Sequence, residues 1–425
     1  MKINLNTVGL FLVLLLIMLV MIHKEVGKIV VFYREIFSLI FLALLLWQGF
    51  SKISHSLFNK RVIVEIFLLA LFPLLLVTMA LVDPMINLYG DLLSVGVTAY
   101  DGYVDPRLYV LRNAVIYLPM VFYIAVRGLS TSEINKIAGV IVFFAPISII
   151  VFMSQLSNHS VVYEFREMIS GRNQIEYNTF VPCFTISVLS IFYLMELPYR
   201  KFKVFIKLAL VGIFVFVIFF IFYSTSRQAL ILALMYLTLF LIKELSPIMA
   251  LRNIFYYTVM FIACYYCVEW VNQNIGSNER LTERLGEGLT NSPRSKMIVE
   301  GVEKLDITSF FTGTGLTSVL VSGPHNDYVR WLQRVGFIFT FISFYPYFSA
   351  VIKSFVNYRY RKESVYLFIL CANLFIIYNS MFGYPREDAY QSLWCFLGIA
   401  MWLGHVNFSR RKRIVDAEKS YPLVN

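Results

Sequence analysis

Charged residues are scarce in this chain. Aspartate, glutamate, lysine and arginine make up 15% of its 425 residues, while hydrophobic residues make up 59%. A soluble domain carries about 25% charged residues, and the mean hydropathy here is +0.70. The composition therefore excludes an ordinary soluble domain and is typical of a polytopic membrane protein.

Cysteines and metal-binding motifs are also few. The five cysteines lie in apolar runs, and although Cys264 and Cys267 have the C-x-x-C spacing, no second pair accompanies them. The sequence has no Walker A loop, no H-E-x-x-H motif, no Cys/His cluster and, on the face assigned below to the outside, no D-x-D. These absences favour buried packing for Cys264 and Cys267 and predict chemistry that needs no metal, nucleotide or other cofactor.

Long apolar runs, by contrast, are abundant. A helix needs about 20 apolar residues to cross a bilayer, and in lipid the backbone must be hydrogen-bonded within its own segment. The sequence therefore predicts an all-α polytopic membrane protein of about twelve transmembrane helices, with residues 1–425 as a single domain and no internal repeat. The runs lie near residues 5–22, 33–50, 62–82, 108–126, 137–155, 179–197, 204–223, 228–245, 253–271, 328–352, 364–382 and 389–407.

Lysine and arginine are unevenly distributed between alternate loops. The loop 83–107 has four aspartates against a single arginine, whereas the loops on the other side are rich in lysine and arginine, and a basic tail follows at 410–413. Cytoplasmic loops carry the excess of these residues, so both termini are predicted to be cytoplasmic, although Lys24 and Lys28 do not fit this pattern. Because the net charge of +11 is spread over loops and tail, the predicted partner is the lipid bilayer and not nucleic acid.

The longest polar interval runs from Val271 to Asp327. The topology places the loop 272–327 outside the cytoplasm, where chemistry can meet water. This loop ends in Gly313-Thr314-Gly315 and then in Pro324-His325-Asn326-Asp327-Tyr328, a pattern that favours the abrupt start of a helix.

Among the arginines on the predicted outer face, which oppose the topology bias, five are candidates for phosphate binding: Arg172, Arg227, Arg294, Arg330 and Arg334. Arg330 and Arg334 are four residues apart and share one face of a predicted helix. Guanidinium groups bind phosphate in a bidentate manner and stay charged, so arginines that converge on one cavity would suit a lipid-linked diphosphate. For each arginine alone, the alternative is an interfacial side chain that reaches the lipid head groups. Arg227 fits that alternative least, because its turn between two spans is so short.

His325 is the one histidine in a setting that favours chemistry. Its ordinary pKa near neutrality makes histidine the best general base available, and at the start of a helix it can face an outer cavity. A lone histidine is more often structural, so the residue pattern alone leaves both roles open. Asp327 could either orient the ring or cap the helix that follows.

The order of these parts resembles the O-antigen ligase and polymerase superfamily of bacterial envelope enzymes. Ser226-Arg227 follows a long helix, and the late loop runs from Arg294 through Gly313-Thr314-Gly315 to His325-Asn326, with Gly336 in the next helix. The ordered match covers roughly residues 170–340, and the N-terminal helices match only in hydropathy. Asp327 and the two arginines after it depart from the usual pattern.

The resemblance implies metal-independent, inverting glycosyl transfer from undecaprenyl diphosphate at the periplasmic face of the bacterial inner membrane. The five arginines would hold the diphosphate, His325 would deprotonate the acceptor hydroxyl, and Gly313, Gly315 and Asn326 would shape the loop. The predicted activity is an O-antigen polymerase, which joins lipid-linked oligosaccharide repeat units and for which a chain-length regulator is an expected partner. Two alternatives stay open: an O-antigen ligase that transfers the glycan to lipid A–core, and a flippase for the lipid-linked unit. The lack of repeated halves argues against the flippase.

Overall fold

The structure is a computed structural model that describes residues 5–21, 29–47, 63–81, 115–156, 174–198, 203–223, 227–242, 293–315, 326–381 and 391–420, together with positions 258, 262 and 266. All regular structure in these residues is helical. The helices, numbered in chain order along this part of the chain, are α1 Leu5–Met21, α2 Ile29–Trp47, α3 Ile63–Leu81, α4 Leu118–Arg127, α5 Thr131–Leu156, α6 Gln174–Met195, α7 Lys203–Tyr223, α8 Arg227–Ile242, α9 Pro293–Glu303, α10 Ile307–Thr312, α11 Asp327–Arg361, α12 Ser364–Asn379 and α13 Gln391–Ser420.

The all-α prediction is confirmed for the described residues, whereas the number of membrane spans stays a prediction. Within the described residues, three segments are long and apolar enough to cross a membrane: Thr131–Val151, Val204–Ile221 and Asp327–Arg361. Six further apolar helices in the described residues are between 10 and 17 residues long. The apolar run predicted near 253–271 lies almost wholly outside the described residues.

Local sequence explains why α5 begins well before its predicted apolar run. The Ser130 hydroxyl accepts a hydrogen bond from the Glu133 backbone N–H (3.3 Å), and the Glu133 carboxylate accepts one from the Ser130 N–H (2.9 Å). This reciprocal pair is a capping box, which satisfies two N–H groups that a helix start would otherwise leave open. The helix therefore begins at Thr131, six residues before the run predicted from hydropathy.

The core lies around α6, α12 and α13. Nearly every described side chain of α12 is buried, as are those of α6 from Pro182 onward and of α13 up to His405. A helix that is apolar on all sides belongs in an interior, and Tyr193 of α6 stacks on Phe368 of α12 with ring centroids 4.5 Å apart. Cys183, Cys371 and Cys395 are buried in this core. Cys264 and Cys267 lie outside the described residues.

The C-terminal helix closes the end of α4. The Asn407 side chain donates to the Ala125 carbonyl (2.7 Å), and the Arg411 guanidinium donates to the carbonyls of Val126 (2.7 Å) and Arg127 (3.3 Å). These are terminal carbonyls that α4 cannot satisfy itself. The sequence predicts only a basic tail at 410–413 on the cytoplasmic side. The structure places it inside α13, where Arg411 caps another helix.

A buried carboxylate joins α3 to α11. Glu65 is fully buried, and its Oε1 accepts hydrogen bonds from the Ser349 hydroxyl (2.6 Å) and from the Lys353 ammonium. Lys353 lies within α11 and pairs with a residue 288 positions earlier in the chain.

Candidate functional site

The candidate site is centred on a break in α11. This helix of 35 residues is interrupted at Gly336, whose φ of 75° and ψ of 176° are not helical. A break of this kind removes the intrahelical partners of the carbonyls in the preceding turn, and buried carbonyls must be satisfied elsewhere. The two carbonyls concerned belong to Gln333 and Arg334.

The Gly313–Gly315 segment supplies the missing donors. The Thr314 N–H (2.7 Å) and the Thr314 hydroxyl (2.9 Å) both donate to the Gln333 carbonyl, and the Gly315 N–H donates to the Arg334 carbonyl at 3.1 Å. We call this contact between residues 313–315 and residues 333–336 the glycine clasp. The loop segment after α10 and the first half of α11 are therefore fixed to each other by hydrogen bonds to the α11 backbone.

Glycine is required on both sides of the clasp. A Cβ atom at Gly313 would lie 2.2 Å from the Arg334 carbonyl oxygen, and one at Gly336 would lie 2.1 Å from the Phe311 carbonyl oxygen. Both glycines also have a positive φ, which side chains disfavour. At Gly313 and Gly336 the two backbones thus approach too closely for any side chain. The loop-shaping role of Gly313 and Gly315 in a substrate site stays a prediction.

The start of α11 is anchored on the end of α12. Asn326 caps α11, because its side-chain oxygen accepts from the Val329 N–H (3.0 Å) while its amide donates to the Met381 carbonyl (3.1 Å). The Asp327 N–H donates to the Ser380 carbonyl (2.7 Å), and the Tyr328 hydroxyl donates to the Ile377 carbonyl (2.9 Å). Consequently the position directly after His325 has a fixed backbone.

Asp327 is not the cap that the sequence allowed. Its side chain is fully buried and accepts from the Ser380 hydroxyl at 3.4 Å. Because Asn326 supplies the cap, Asp327 instead holds α11 against α12. His325 lies outside the described residues, so the orientation of His325 by Asp327 stays a prediction.

Helix α9 crosses the same part of α11. The Gln333 side chain donates to the Gly301 carbonyl at 2.8 Å, and a Cβ at Gly301 would meet that same side chain at 2.8 Å. Arg294 lies on α9 two turns before Gly301, and the structure describes its backbone but not its side chain. The helix that carries Arg294 is therefore docked on the helix that carries Arg330 and Arg334.

The structure describes the five predicted arginines to different extents. Arg334 is buried, with 3% of its surface exposed, and Arg330 is half-buried one turn earlier on α11. Arg227 is the first residue of α8, again described only by its backbone. Arg172 and His325 lie outside the described residues. The structure thus gathers Arg330, Arg334, both clasp glycines and Asn326 around the first half of α11, with the helix of Arg294 beside them.

The polar edge of the site faces solvent. Asp306 caps the short helix α10 by accepting from the Ser309 N–H at 2.6 Å, and this hydrogen bond lowers the pKa of the Asp306 carboxyl. Because the pKa is lowered, the charged cap stabilises α10 above the ordinary aspartate range, and that contribution is lost as the pH falls through the lowered pKa. Among the described residues no group of three or more His, Cys, Asp or Glu side chains could hold a metal. The metal-independent chemistry stays a prediction.

Several residues of this region had no signal in the sequence. Gln333, Ser380 and Met381 take part through hydrogen bonds to residues that are distant in the sequence. No local pattern marks such contacts, because they depend on how helices meet. The short helix α10 directly precedes Gly313. Comparisons with models of protein families, with curated proteins and with solved structures find no match to this chain.

Proposed function

We propose that this protein is an O-antigen polymerase of the bacterial inner membrane, with both termini in the cytoplasm and the loop 272–327 in the periplasm. It joins oligosaccharide repeat units carried on undecaprenyl diphosphate, with metal-independent inversion at the anomeric carbon. The observation that supports this most is the glycine clasp. It holds residues 313–315 against the turn of α11 that bears Arg334. Arg334 lies eight residues after Asn326, whose side chain is itself anchored on the Met381 carbonyl.

The chemistry follows from the residue types. The acceptor hydroxyl loses its proton to His325 and attacks the anomeric carbon of the donor sugar. The bond between that carbon and the diphosphate oxygen breaks, and undecaprenyl diphosphate leaves. Arg172, Arg227, Arg294, Arg330 and Arg334 bind the diphosphate and stabilise the charge that develops on it, an electrostatic effect that is stronger in a site that excludes water.

The test uses purified protein in proteoliposomes with lipid-linked repeat units isolated from a strain that lacks this gene. General-base catalysis is typically worth about 10²–10⁴-fold in rate, so His325→Ala should reduce polymer formation by about that factor. Binding of the lipid donor should survive, since the arginines contact it. The same assay is run with chelator, which should leave the wild-type rate unchanged.

Three outcomes contradict the proposal. Near-normal polymer formation by His325→Ala would remove the general base. Transfer to added lipid A–core, with no polymer from repeat units alone, would identify a ligase. Movement of the intact lipid-linked unit across the proteoliposome membrane, with no new glycosidic bond, would identify a flippase. Asn407→Ala, which alters only the α4–α13 contact, serves as the variant that controls for general loss of stability.

A further inference from the structure

An exposed apolar stripe runs along the second half of α11. Its members are Phe337, Phe341, Phe348, Ile352, Phe355 and Val356, each between 43% and 62% exposed. Their spacing places them within a narrow arc of the helix. The stripe covers residues 337–356, which at 1.5 Å per residue is about 30 Å, the thickness of the hydrocarbon core of a bilayer. This stripe is the lipid-facing side of a candidate membrane span.

Helix α10 continues that stripe beyond the break at Gly336. Phe310 stacks on Phe337 with ring centroids 5.6 Å apart and planes 12° apart, and Phe311 contacts the same ring edge-on at 6.5 Å. Ile307 is 82% exposed and Phe311 is 48% exposed. The aromatic surface is therefore continuous from Phe341 through Phe337 onto α10, a helix of six residues that is too short to span a membrane.

The neighbouring surfaces have the opposite character. Thr308 and Thr312 lie on the other side of α10. Glu300 and Glu303 of α9 and the following Lys304 are exposed, and Lys304 forms an ion pair with Glu300 at 2.8 Å. Charged groups of this kind avoid hydrocarbon. The boundary between apolar and polar surface falls along α10.

We propose that α10 is a membrane-surface helix whose Ile307, Phe310 and Phe311 insert into the lipid leaflet beside the start of α11. The occupant of this face is lipid, because the face is continuous with the 30 Å stripe of α11 and because aromatic rings concentrate at the membrane–water boundary. The glycine clasp then lies at that boundary. Arg330 and Arg334 lie within two turns of it, at the depth of the lipid head groups. The proposal does not depend on glycosyl transfer.

Spin labels on single cysteines, in a variant with the native cysteines replaced, test this in proteoliposomes of phosphatidylethanolamine and phosphatidylglycerol. The measurement is the accessibility of each label to oxygen, which concentrates in lipid, and to a water-soluble nickel complex. Labels at Ile307→Cys and Phe311→Cys should be more accessible to oxygen than to the nickel complex. The difference should be smaller than for a label at Phe341→Cys. A label at Thr308→Cys, on the same helix, and one at Lys304→Cys should favour nickel.

Two results would overturn the proposal. If labels at positions 307 and 311 favour nickel as strongly as the label at position 304, the helix lies in water. If they are inaccessible to both reagents, a second protein surface covers the helix instead of lipid. Ile307 is 82% exposed, so its replacement should not disturb the fold. The label at position 307 therefore tests the proposal even if Phe311→Cys yields unstable protein.

Discussion

Gly336 determines the shape of the candidate site at the residue scale. Its positive φ breaks a helix that would otherwise run straight past the loop, and its missing side chain admits the Phe311 carbonyl. A glycine inside an apolar segment is compatible with a continuous helix, so hydropathy alone does not locate the break. The resemblance marked this glycine, but its conformation depends on the clasp with Gly313, which only the folded chain forms.

Gly336→Ala should therefore destabilise the protein and abolish the proposed activity. Residues held in disfavoured backbone conformations cost about 1–3 kcal/mol, and the collision with the Phe311 carbonyl adds to that cost. The thermal midpoint in detergent, followed by intrinsic fluorescence, should fall clearly. Gly212→Ala is the matched control: it is a helical glycine of α7 with no atom within 4 Å of the added Cβ. That change should leave the midpoint unchanged or slightly raised, and an equal fall in both variants would contradict the role of the clasp.

Lysine should not be able to replace arginine at the predicted diphosphate site. Arg227→Lys and Arg294→Lys should each lower polymer length in a complemented deletion strain, because an ammonium cannot form the bidentate contact with phosphate. Arg280→Lys, in a stretch of alternating acidic and basic residues, should be nearly silent. Protein level is measured in each strain. Wild-type polymer from both Arg227→Lys and Arg294→Lys would remove these residues from the site.

Helix–helix contacts decide what each charged residue does at the element scale. Existence and approximate position of the helices follow from apolar runs, because the backbone in lipid has few alternatives. The partners do not follow: Glu65 pairs with α11, Asp327 with Ser380, and Arg411 with the end of α4. Each of these contacts joins segments that are distant in sequence. A local pattern can therefore predict that Lys353 or Arg411 is near a helix end, but not which neighbouring helix it stabilises.

Arg411→Ala should weaken the union of α4 and α13. It removes the donors to the carbonyls of Val126 and Arg127, and because the guanidinium is only partly buried the cost should be about 1 kcal/mol. The thermal midpoint is the measurement, and Lys412→Ala is the control, since that side chain is exposed on the same turn. A midpoint for Arg411→Ala equal to that of Lys412→Ala would show that the cap contributes nothing.

At the scale of the whole molecule, the length of α11 and the positions of its charged residues bear on how the chain is oriented across the membrane. Helix α11 is longer than a bilayer requires, since 35 residues extend about 52 Å at 1.5 Å per residue. The break at Gly336 separates the 337–356 stripe, which matches the hydrocarbon, from the first turns that carry Arg330 and Arg334. The Glu65–Lys353 pair lies toward the other end of the same helix. This arrangement agrees with a site on one side of the membrane and a basic end on the other.

The orientation itself is predicted from lysine and arginine bias: the loop 272–327 should be periplasmic and the tail at 410–413 cytoplasmic. Single cysteines at Thr290 and Lys412, in the variant lacking native cysteines, are exposed to an impermeant thiol reagent in intact spheroplasts. Thr290→Cys should react before lysis, and Lys412→Cys, on an exposed part of α13, should react only after lysis. A reagent that reaches position 412 but not position 290 in intact cells would reverse the topology. The arginines and His325 would then face the cytoplasm, where the proposed periplasmic polymerisation could not take place.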